Sequence, residues 1–165
     1  MMADPAPGNA ASADDENEED MNIVDILTRE HDDLRSAMAR LAGNGSRWPE
    51  AEAFARALEL HARLEDDLLF VELEAKLPTD NGPLPVMRAE HAEIEDGLAR
   101  LESLEDTAPE WRPLLTRVLG VARSHFEKEE RVLFAFASHQ IEASRLEALG
   151  EQFERARHAA KSASQ

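Results

Sequence analysis

Apolar residues recur at intervals of three and four along most of the chain, and this spacing predicts amphipathic helices. The first predicted helix ends at Gly43-Asn44-Gly45, and its inward stripe is Ile23, Leu27, His31, Leu34, Met38 and Leu41. The second begins near Pro49, a residue suited to a first helical position, and stops before Pro78. Its stripe is Phe54, Leu58, His61, Leu64 with Glu65, and Leu68.

Two further long helices are predicted in the second half of the chain. The third follows Asn81-Gly82-Pro83, with a stripe of Met87, His91, Ile94 with Glu95, Leu98 and Leu101. The fourth begins between Thr107 and Pro113, where a Thr107/Glu110 capping box competes with two prolines. Its stripe is Leu115, Val118, Ala122, His125, Glu129, Val132 and Phe136. After Ser144 a short fifth helix carries Leu146, Leu149 and Phe153, and we expect it to pack across one end.

The fold class predicted by these stripes is all-α. Tyrosine is absent, and no alternation of period two indicates a strand. Four long helices with short connections favour an antiparallel up-down four-helix bundle, with the short fifth C-terminal helix added to it. Each long helix has one histidine near its middle, so the four histidines can meet at one level of the bundle.

Composition indicates one domain, over residues 21–162, behind an acidic tail. The chain has 165 residues, of which 42% are hydrophobic, enough for a single core. Residues 1–20 contain no Lys or Arg and include a run of acidic residues, so we expect a disordered tail there, with docking to a basic partner as the alternative. The absence of cysteine excludes disulfides, thiolate metal sites and thiol catalysis.

Charge and hydropathy limit the partners. A net charge of −17 repels nucleic acid and anionic lipid, so we expect neither as a partner. The chain shows no basic and apolar leader and no apolar stretch of about 20 residues, and a cytoplasmic location is the simplest interpretation. The sequence identifies no protein partner.

The histidines belong to an internal repeat that indicates a metal site. The segment that opens with Glu30-His31 recurs at Glu90-His91, and the segment His61 to Phe70 recurs at His125 to Phe134. Three of the histidines have a glutamate four residues later on the same helix face, namely Glu65, Glu95 and Glu129. These pairs follow the apolar stripes, where an unpaired carboxylate costs several kcal/mol and a divalent cation would remove that cost.

The number of candidate ligands favours two metal ions. Four histidines and two glutamates exceed what one tetrahedral ion needs, whereas bridging by Glu65 and Glu129 would serve two ions about 3.5–4 Å apart. Arg35 stands four residues after His31 and cannot bind a metal. If Glu95 binds, the ion at His91 and His125 is the more fully coordinated. Nitrogen and oxygen ligands suit iron or manganese, and zinc is compatible with the same ligand types.

The same pattern, a histidine followed by three His-x-x-x-Glu motifs on successive helices, resembles the haemerythrin-like family of bacterial HHE cation-binding domains. The resemblance covers about residues 23–160. It implies two iron ions in a non-haem, oxo- or hydroxo-bridged di-iron centre, with Glu65 and Glu129 as bridges. The implied terminal ligands are His31, His61, His91 and His125. Glu95 matches a place where oxygen-carrying haemerythrins use a fifth histidine, which implies reaction with O₂, peroxide or nitric oxide rather than oxygen carriage.

Three functions follow as hypotheses. The first is a di-iron protein that binds or reacts with O₂, peroxide or nitric oxide, in stress response or sensing, with enzymatic turnover left open. The second is storage or donation of iron. The third is an interaction domain with a structural ion such as zinc.

Outside the predicted ligands, His139 and His158 are interpreted as surface residues. Phe70 and Phe134 are interpreted as core beneath the site, where shielding of a bound ligand is a hypothesis. For Arg35 a solvated position beside Asp32 and Asp33 is preferred over pairing with an outer carboxylate.

Overall fold

The structure, a computed structural model, describes residues 21–43 and 45–163, so the predicted acidic tail lies outside the described residues. Within these ranges the chain forms five helices and no strand. Helix α1 is Ile23–Ala42 and α3 is Pro83–Ser103. Helix α2 consists of three consecutive segments, Trp48–Glu65, Asp66–Phe70 and Val71–Glu74. Helix α4 likewise consists of Trp111–Lys128, Glu129–Phe134 and Ala135–Gln140, and α5 is Ala143–Ala163.

The helix starts follow local chemistry. The Asn22 side chain accepts hydrogen bonds from the backbone N–H groups of Val24 (2.9 Å) and Asp25 (3.1 Å), which satisfies two free donors of α1. Helix α4 begins at Trp111, within the predicted range between Thr107 and Pro113. Pro113 is then the third residue of the helix, where a missing N–H costs no intrahelical hydrogen bond.

The middle segments of α2 and α4 are π-helical turns, which the sequence pattern did not predict. Asp66–Phe70 directly follows Glu65, and Glu129–Phe134 begins at Glu129. Because a π turn bonds residue i to i+5, it shifts the helix face of every later residue. The predicted inward positions Leu68, Val132 and Phe136 are therefore not buried, and the buried residues are Leu69, Phe70, Leu133 and Phe134.

The fifth helix is present, but the prediction that it is short was wrong. It has 21 residues, and instead of packing across one end it lies along α1 and α2, from Ile23 at the start of α1 to Glu30 beside His31. Its apolar residues Leu146, Leu149 and Phe153 are buried in the same cluster as Ile23 and Leu27 of α1. The sequence pattern underestimated its length because few apolar residues follow Phe153, and the last two turns are mainly polar.

Helices α1 to α4 contact one another in a closed cycle, and their buried residues form two clusters. Helix α1 contacts α2 and α4, and α3 contacts the same two helices. One cluster contains Leu27, which precedes His31 on α1, and Leu64, which follows His61 on α2. The other contains Leu34, which follows His31, and Leu58, which precedes His61. The histidines are thus placed between two apolar layers. None of the helices in residues 21–43 and 45–163 combines the length and the apolar composition of a membrane-spanning segment.

Gly150 is needed where α5 meets the start of α1. A Cβ atom at this buried position would overlap with the backbone carbonyl oxygen of Met21. We expect Gly150→Ala to lower the free energy of unfolding by about 1–3 kcal/mol, because the backbone must shift. The matched control is Gly120→Ala in α4, where the added Cβ meets no atom within 4 Å. Alanine there should raise the free energy of unfolding by up to about 1 kcal/mol.

Urea unfolding of both alanine variants, with circular dichroism as the signal, measures these changes. Equal stability of the two variants would contradict the close packing of α5 on α1.

Candidate metal centre

Six of the seven predicted ligands meet in the interior between the two apolar clusters. The side chains of His31, His61, His91, His125, Glu65 and Glu129 are between 0 and 6% exposed. Each histidine comes from a different helix of the four, and the two glutamates come from α2 and α4. Both glutamates stand one turn beyond a histidine of their own helix and share its buried face.

The six side chains form two groups with shared carboxylates. One group is His31, His61, Glu65 and Glu129, and the other is His91, His125, Glu65 and Glu129, with ligand atoms within 4.8 Å of one another in each. In the first group Nε2 of His31 is 3.3 Å from Oε2 of Glu129. In the second, Nε2 of His125 is 2.9 Å and Nε2 of His91 is 3.7 Å from Oε1 of Glu129. One glutamate therefore offers a different oxygen to each group.

Glu65 is shared in a different way. Its Oε2 is 3.9 Å from Nε2 of His61 and 3.6 Å from Nε2 of His91. The same oxygen thus faces one histidine of each group. Two histidine pairs around two common carboxylates form an arrangement that can hold two cations side by side.

Every histidine of the site donates its Nδ1 proton to a carboxylate outside the six. His61 donates to Glu30 (2.8 Å) and His125 to Glu90 (2.9 Å). His31 donates to Glu130 (2.9 Å) and His91 to Asp66 (3.2 Å). In the neutral imidazole this hydrogen bond sets the ring orientation and leaves Nε2 with a free lone pair, as metal-binding histidines require. At His91 burial lowers the pKa, but the neighbouring carboxylates of Asp66 and Glu65 outweigh it and raise the pKa to about 10, so a metal ion there must displace a proton from Nε2.

The Nε2 atoms of His31 and His61 face each other at 3.1 Å. Because both rings carry their proton on Nδ1, two lone pairs point into the same small space, and this arrangement is stable only with a proton or cation between them. Burial, together with the neighbouring His61, lowers the pKa of His31 far below its ordinary value. A protonated His31 is therefore disfavoured, and a metal cation fits the space better.

The buried carboxylates also need a cation. Both oxygens of Glu65 and Glu129, and Nε2 of His91 and His125, have no hydrogen-bond partner among the described residues. Burial, with the nearby Glu129, raises the pKa of Glu65 to about 7, and burial raises the pKa of Glu129 to about 8. Buried polar groups without partners are rare and costly, so these donors fit a divalent metal that would bind all of them.

Glu95, the seventh predicted ligand, lies outside the site. Its side chain is exposed, and it belongs to neither ligand group. The reason is the position of the buried stripe on α3, where Ile94 and Leu98 are buried and Ala92 is exposed. Glu95 thus takes the place that Arg35 has on α1. The inference that the ion at His91 and His125 is the more fully coordinated loses its basis.

The internal repeat contained a signal that could have excluded Glu95. In the aligned opening segments, Glu95 corresponds to Arg35, which cannot bind a metal. In the structure the residue after each histidine shows the same division, because Ala62 and Phe126 are buried and Asp32 and Ala92 are exposed. Since positions 62 and 92 are both alanine, the sequence alone does not contain this second difference. On α2 and α4 the residue after the histidine is buried, and the buried helix face also includes the glutamate four residues after the histidine.

The four outer carboxylates were missed, although the repeat contains them. Glu30 and Glu90 immediately precede a histidine, and Asp66 and Glu130 immediately follow the shared glutamates. Each also contacts a cation: Glu130 pairs with Arg35 (2.9 Å), and Asp66 with Arg88 (3.6 Å). Glu90 pairs with Lys128, and Glu30 with Arg157 (3.2 Å). For Arg35 the alternative interpretation is confirmed, since it contacts Asp32 and also pairs with Glu130, an outer carboxylate of the site.

Aromatic rings cover the histidines. Phe126 stacks on His31 with 4.2 Å between ring centroids, and Phe134 stacks on it at 5.3 Å. Phe70 lies parallel to His91 at 5.6 Å. All three are buried, so the predicted placement of Phe70 and Phe134 in the core is confirmed, and Phe126 joins them. His139 and His158 are exposed, as predicted.

A buried set of histidines and carboxylates gathered from four helices defines a helical metal-binding domain. The sequence model of the hemerythrin HHE cation-binding domain matches residues 22–137, and the chain belongs to this family.

Similar proteins and a similar structure are known. Rv2633c of Mycobacterium tuberculosis (strain ATCC 25618 / H37Rv) is 30% identical over 141 residues, which cover 79% of this chain and 82% of that protein. A protein of Nostoc sp. called DNA nickase is 21% identical over 142 residues, which cover 84% of this chain and 40% of that protein. The crystal structure of an HHE cation-binding domain protein of Mycobacterium kansasii, the Rv2633c homolog, has a TM-score of 0.70 and 26% identity. That match covers 85% of this chain and 90% of the other.

Proposed function

We propose that this protein is a non-haem di-iron protein that binds or reacts with O₂, peroxide or nitric oxide. The observation that carries the proposal is the pair of buried glutamates shared by two histidine pairs, with all four carboxylate oxygens lacking hydrogen-bond partners. His31 and His61 would hold one ion and His91 and His125 the other, with Glu65 and Glu129 between them. An iron pair would supply redox chemistry with a small diatomic or peroxide ligand.

The arrangement of the helices is part of the proposal. An antiparallel up-down bundle is supported by the contact between the end of α1 and the start of α4, where Arg112 donates to the carbonyl of Gly43 (2.9 Å). The indole of Trp111 likewise donates to the carbonyl of Leu101 (3.2 Å), near the end of α3. Such a bundle gives every helix one central position facing the common site.

Within this function the chain's own residues have two tasks. The outer carboxylates keep each imidazole in the tautomer whose Nε2 can bind a metal. The rings of Phe126, Phe134 and Phe70 exclude water from the histidine layer, which strengthens the electrostatic attraction between carboxylates and cations there.

Iron storage and a structural zinc ion are the alternatives. Complete burial of Glu65 and Glu129 favours an ion that stays bound over one that is donated. The net charge of −17 gives no support for the DNA activity named for the Nostoc protein, and the absence of a nucleic-acid partner stays a prediction, as does a cytoplasmic location.

The test is expression in iron-replete medium, followed by elemental analysis and absorption spectra recorded anaerobically and after exposure to air. We expect two irons per chain and new near-ultraviolet and visible bands in air. A single zinc, or a spectrum that does not change with air or reductant, would contradict the proposal.

A further inference from the structure

Each histidine of the site belongs to a triad of side chains, in which the histidine contacts a carboxylate and the carboxylate contacts a cation. In three of these triads the cation comes from one of the helices that carry the histidines: Arg35 from α1, Arg88 from α3 and Lys128 from α4. In the fourth the cation is Arg157, which comes from α5. The fifth helix thus supplies the cation of the triad that begins at His61.

The contacts within the triad of His61, Glu30 and Arg157 are direct. Nδ1 of His61 donates to Oε2 of Glu30 at 2.8 Å, and Nη1 of Arg157 donates to Oε1 of the same carboxylate at 3.2 Å. The second guanidinium nitrogen of Arg157 donates to Glu154 at 2.5 Å, which anchors the arginine on its own helix. Glu30 is therefore held from both sides, by one histidine and one arginine.

The surroundings of Glu30 give the arginine its importance. A cavity of about 470 Å³ lies between α1, α2 and α5, and Glu30, His61 and Arg157 line it. A side chain beside such a space has room to change rotamer, because few neighbours pack against it. Among the described residues, the hydrogen bond from His61 is the other contact that holds Glu30, and it would remain alone without Arg157.

We propose that Arg157 is a positioning residue of the metal centre, which holds Glu30 and through it the ring of His61. The inference rests on the proposed function, because it concerns how tightly the ion at His31 and His61 is bound. It assigns a role to α5, which lies beyond residues 22–137 matched by the family. The ion at His91 and His125 has its own outer contacts and should not respond to Arg157.

The variants are chosen to separate positioning from folding. Deleting α5 is unsuitable, because Leu146, Leu149 and Phe153 belong to the core. Arg157→Gln and Arg157→Met remove the charge from a side chain that is 30% exposed, and Arg157→Lys restores it. The matched control is Arg155→Gln, two residues away on α5, whose partner Glu151 lies on the same helix. Glu30→Gln marks the full effect of losing the carboxylate.

Cobalt(II) alone is the probe, titrated into the metal-free chain in competition with a chelator. We expect wild type and Arg155→Gln to bind two ions per chain with the same affinities. Glu30→Gln should weaken one of the two ions by about 10–100-fold. Both neutral Arg157 variants should weaken the same ion by up to about tenfold and shift its visible absorption bands, and Arg157→Lys should restore most of the affinity.

Circular dichroism of the metal-free variants identifies those that keep the wild-type helix content. The metal affinity is then compared for whichever of Arg157→Gln and Arg157→Met keeps it. An affinity and spectrum of the Arg157 variants equal to those of Arg155→Gln would overturn the positioning role. Weakening of both ions alike would also overturn it, since a local effect was predicted. If wild type itself fails to bind two ions, the proposed function has failed instead.

Discussion

Replacement of Glu129 or Glu65 by alanine is expected to remove both metal ions while the chain stays helical. Each glutamate belongs to both ligand groups, so one substitution deprives both ions of a carboxylate. A histidine substitution would affect one group only, and for this reason the glutamates should give the larger loss. The apolar clusters on both sides of the site are unchanged in these variants, and we expect them to keep the helices packed.

Elemental analysis of the purified variants, with far-ultraviolet circular dichroism, measures this result. Glu65→Gln and Glu129→Gln test the same point with the volume of the side chain preserved. Glu95→Ala is the control, because Glu95 has the same His-x-x-x-Glu spacing and an exposed side chain. It should keep both ions and the wild-type spectrum. Unchanged metal content in the Glu65 and Glu129 variants would contradict the shared-carboxylate site, and metal loss in Glu95→Ala would return Glu95 to the ligand set.

Removal of the metals by a chelator is expected to lower the melting temperature by about 10 °C or more. A ligand present at 1,000 times its dissociation constant stabilises the native state by about 4.1 kcal/mol, and one kcal/mol corresponds to about 2–4 °C in a chain of this size. The effect should be large here because stripping also leaves the carboxylates of Glu65 and Glu129 buried without partners.

Scanning calorimetry of the loaded and stripped protein measures the difference, and re-addition of the metal should restore the original value. Glu129→Ala is the matched control. Having no ions to lose, it should melt at the same temperature with and without chelator. It should also melt at or above the stripped wild type, because one buried carboxylate is gone. Equal melting temperatures of loaded and stripped wild type would show that the site contributes nothing to stability.

Much of the site could be predicted because it repeats. Helical spacing placed His61 and His125 one turn before Glu65 and Glu129, and the apolar stripes indicated that all four side chains point inward. The same periodicity predicted the all-helical fold and the starts of α1 and α3 near Ile23 and Pro83. These features depend on contacts within one helix turn, which a sequence pattern represents directly.

The errors arose where the position of a residue depends on several helices at once. His-x-x-x-Glu spacing is the same at His91 and at His125, yet Glu95 is exposed and Glu129 is buried. The difference lies in which neighbours cover each helix, and spacing alone contains no information about neighbours. The π turns after Glu65 and at Glu129 belong to the same category, because they turn the predicted inward residues Leu68, Val132 and Phe136 off the buried face.

The amino-acid order alone was enough to predict four long helices, their four inward histidines and the inward positions of Glu65 and Glu129, because periodicity defines a helix face before any packing occurs. The same periodicity also placed Glu95 inward, and only the packed structure separates it from the other two glutamates. Tertiary packing decided the partners of those histidines. It brought Glu30 to His61 and Glu130 to His31, and it placed Arg157 beside Glu30 from the far end of the chain. Such pairings connect residues that are distant in sequence, and only the relative rotation and crossing of packed helices determines which of them meet.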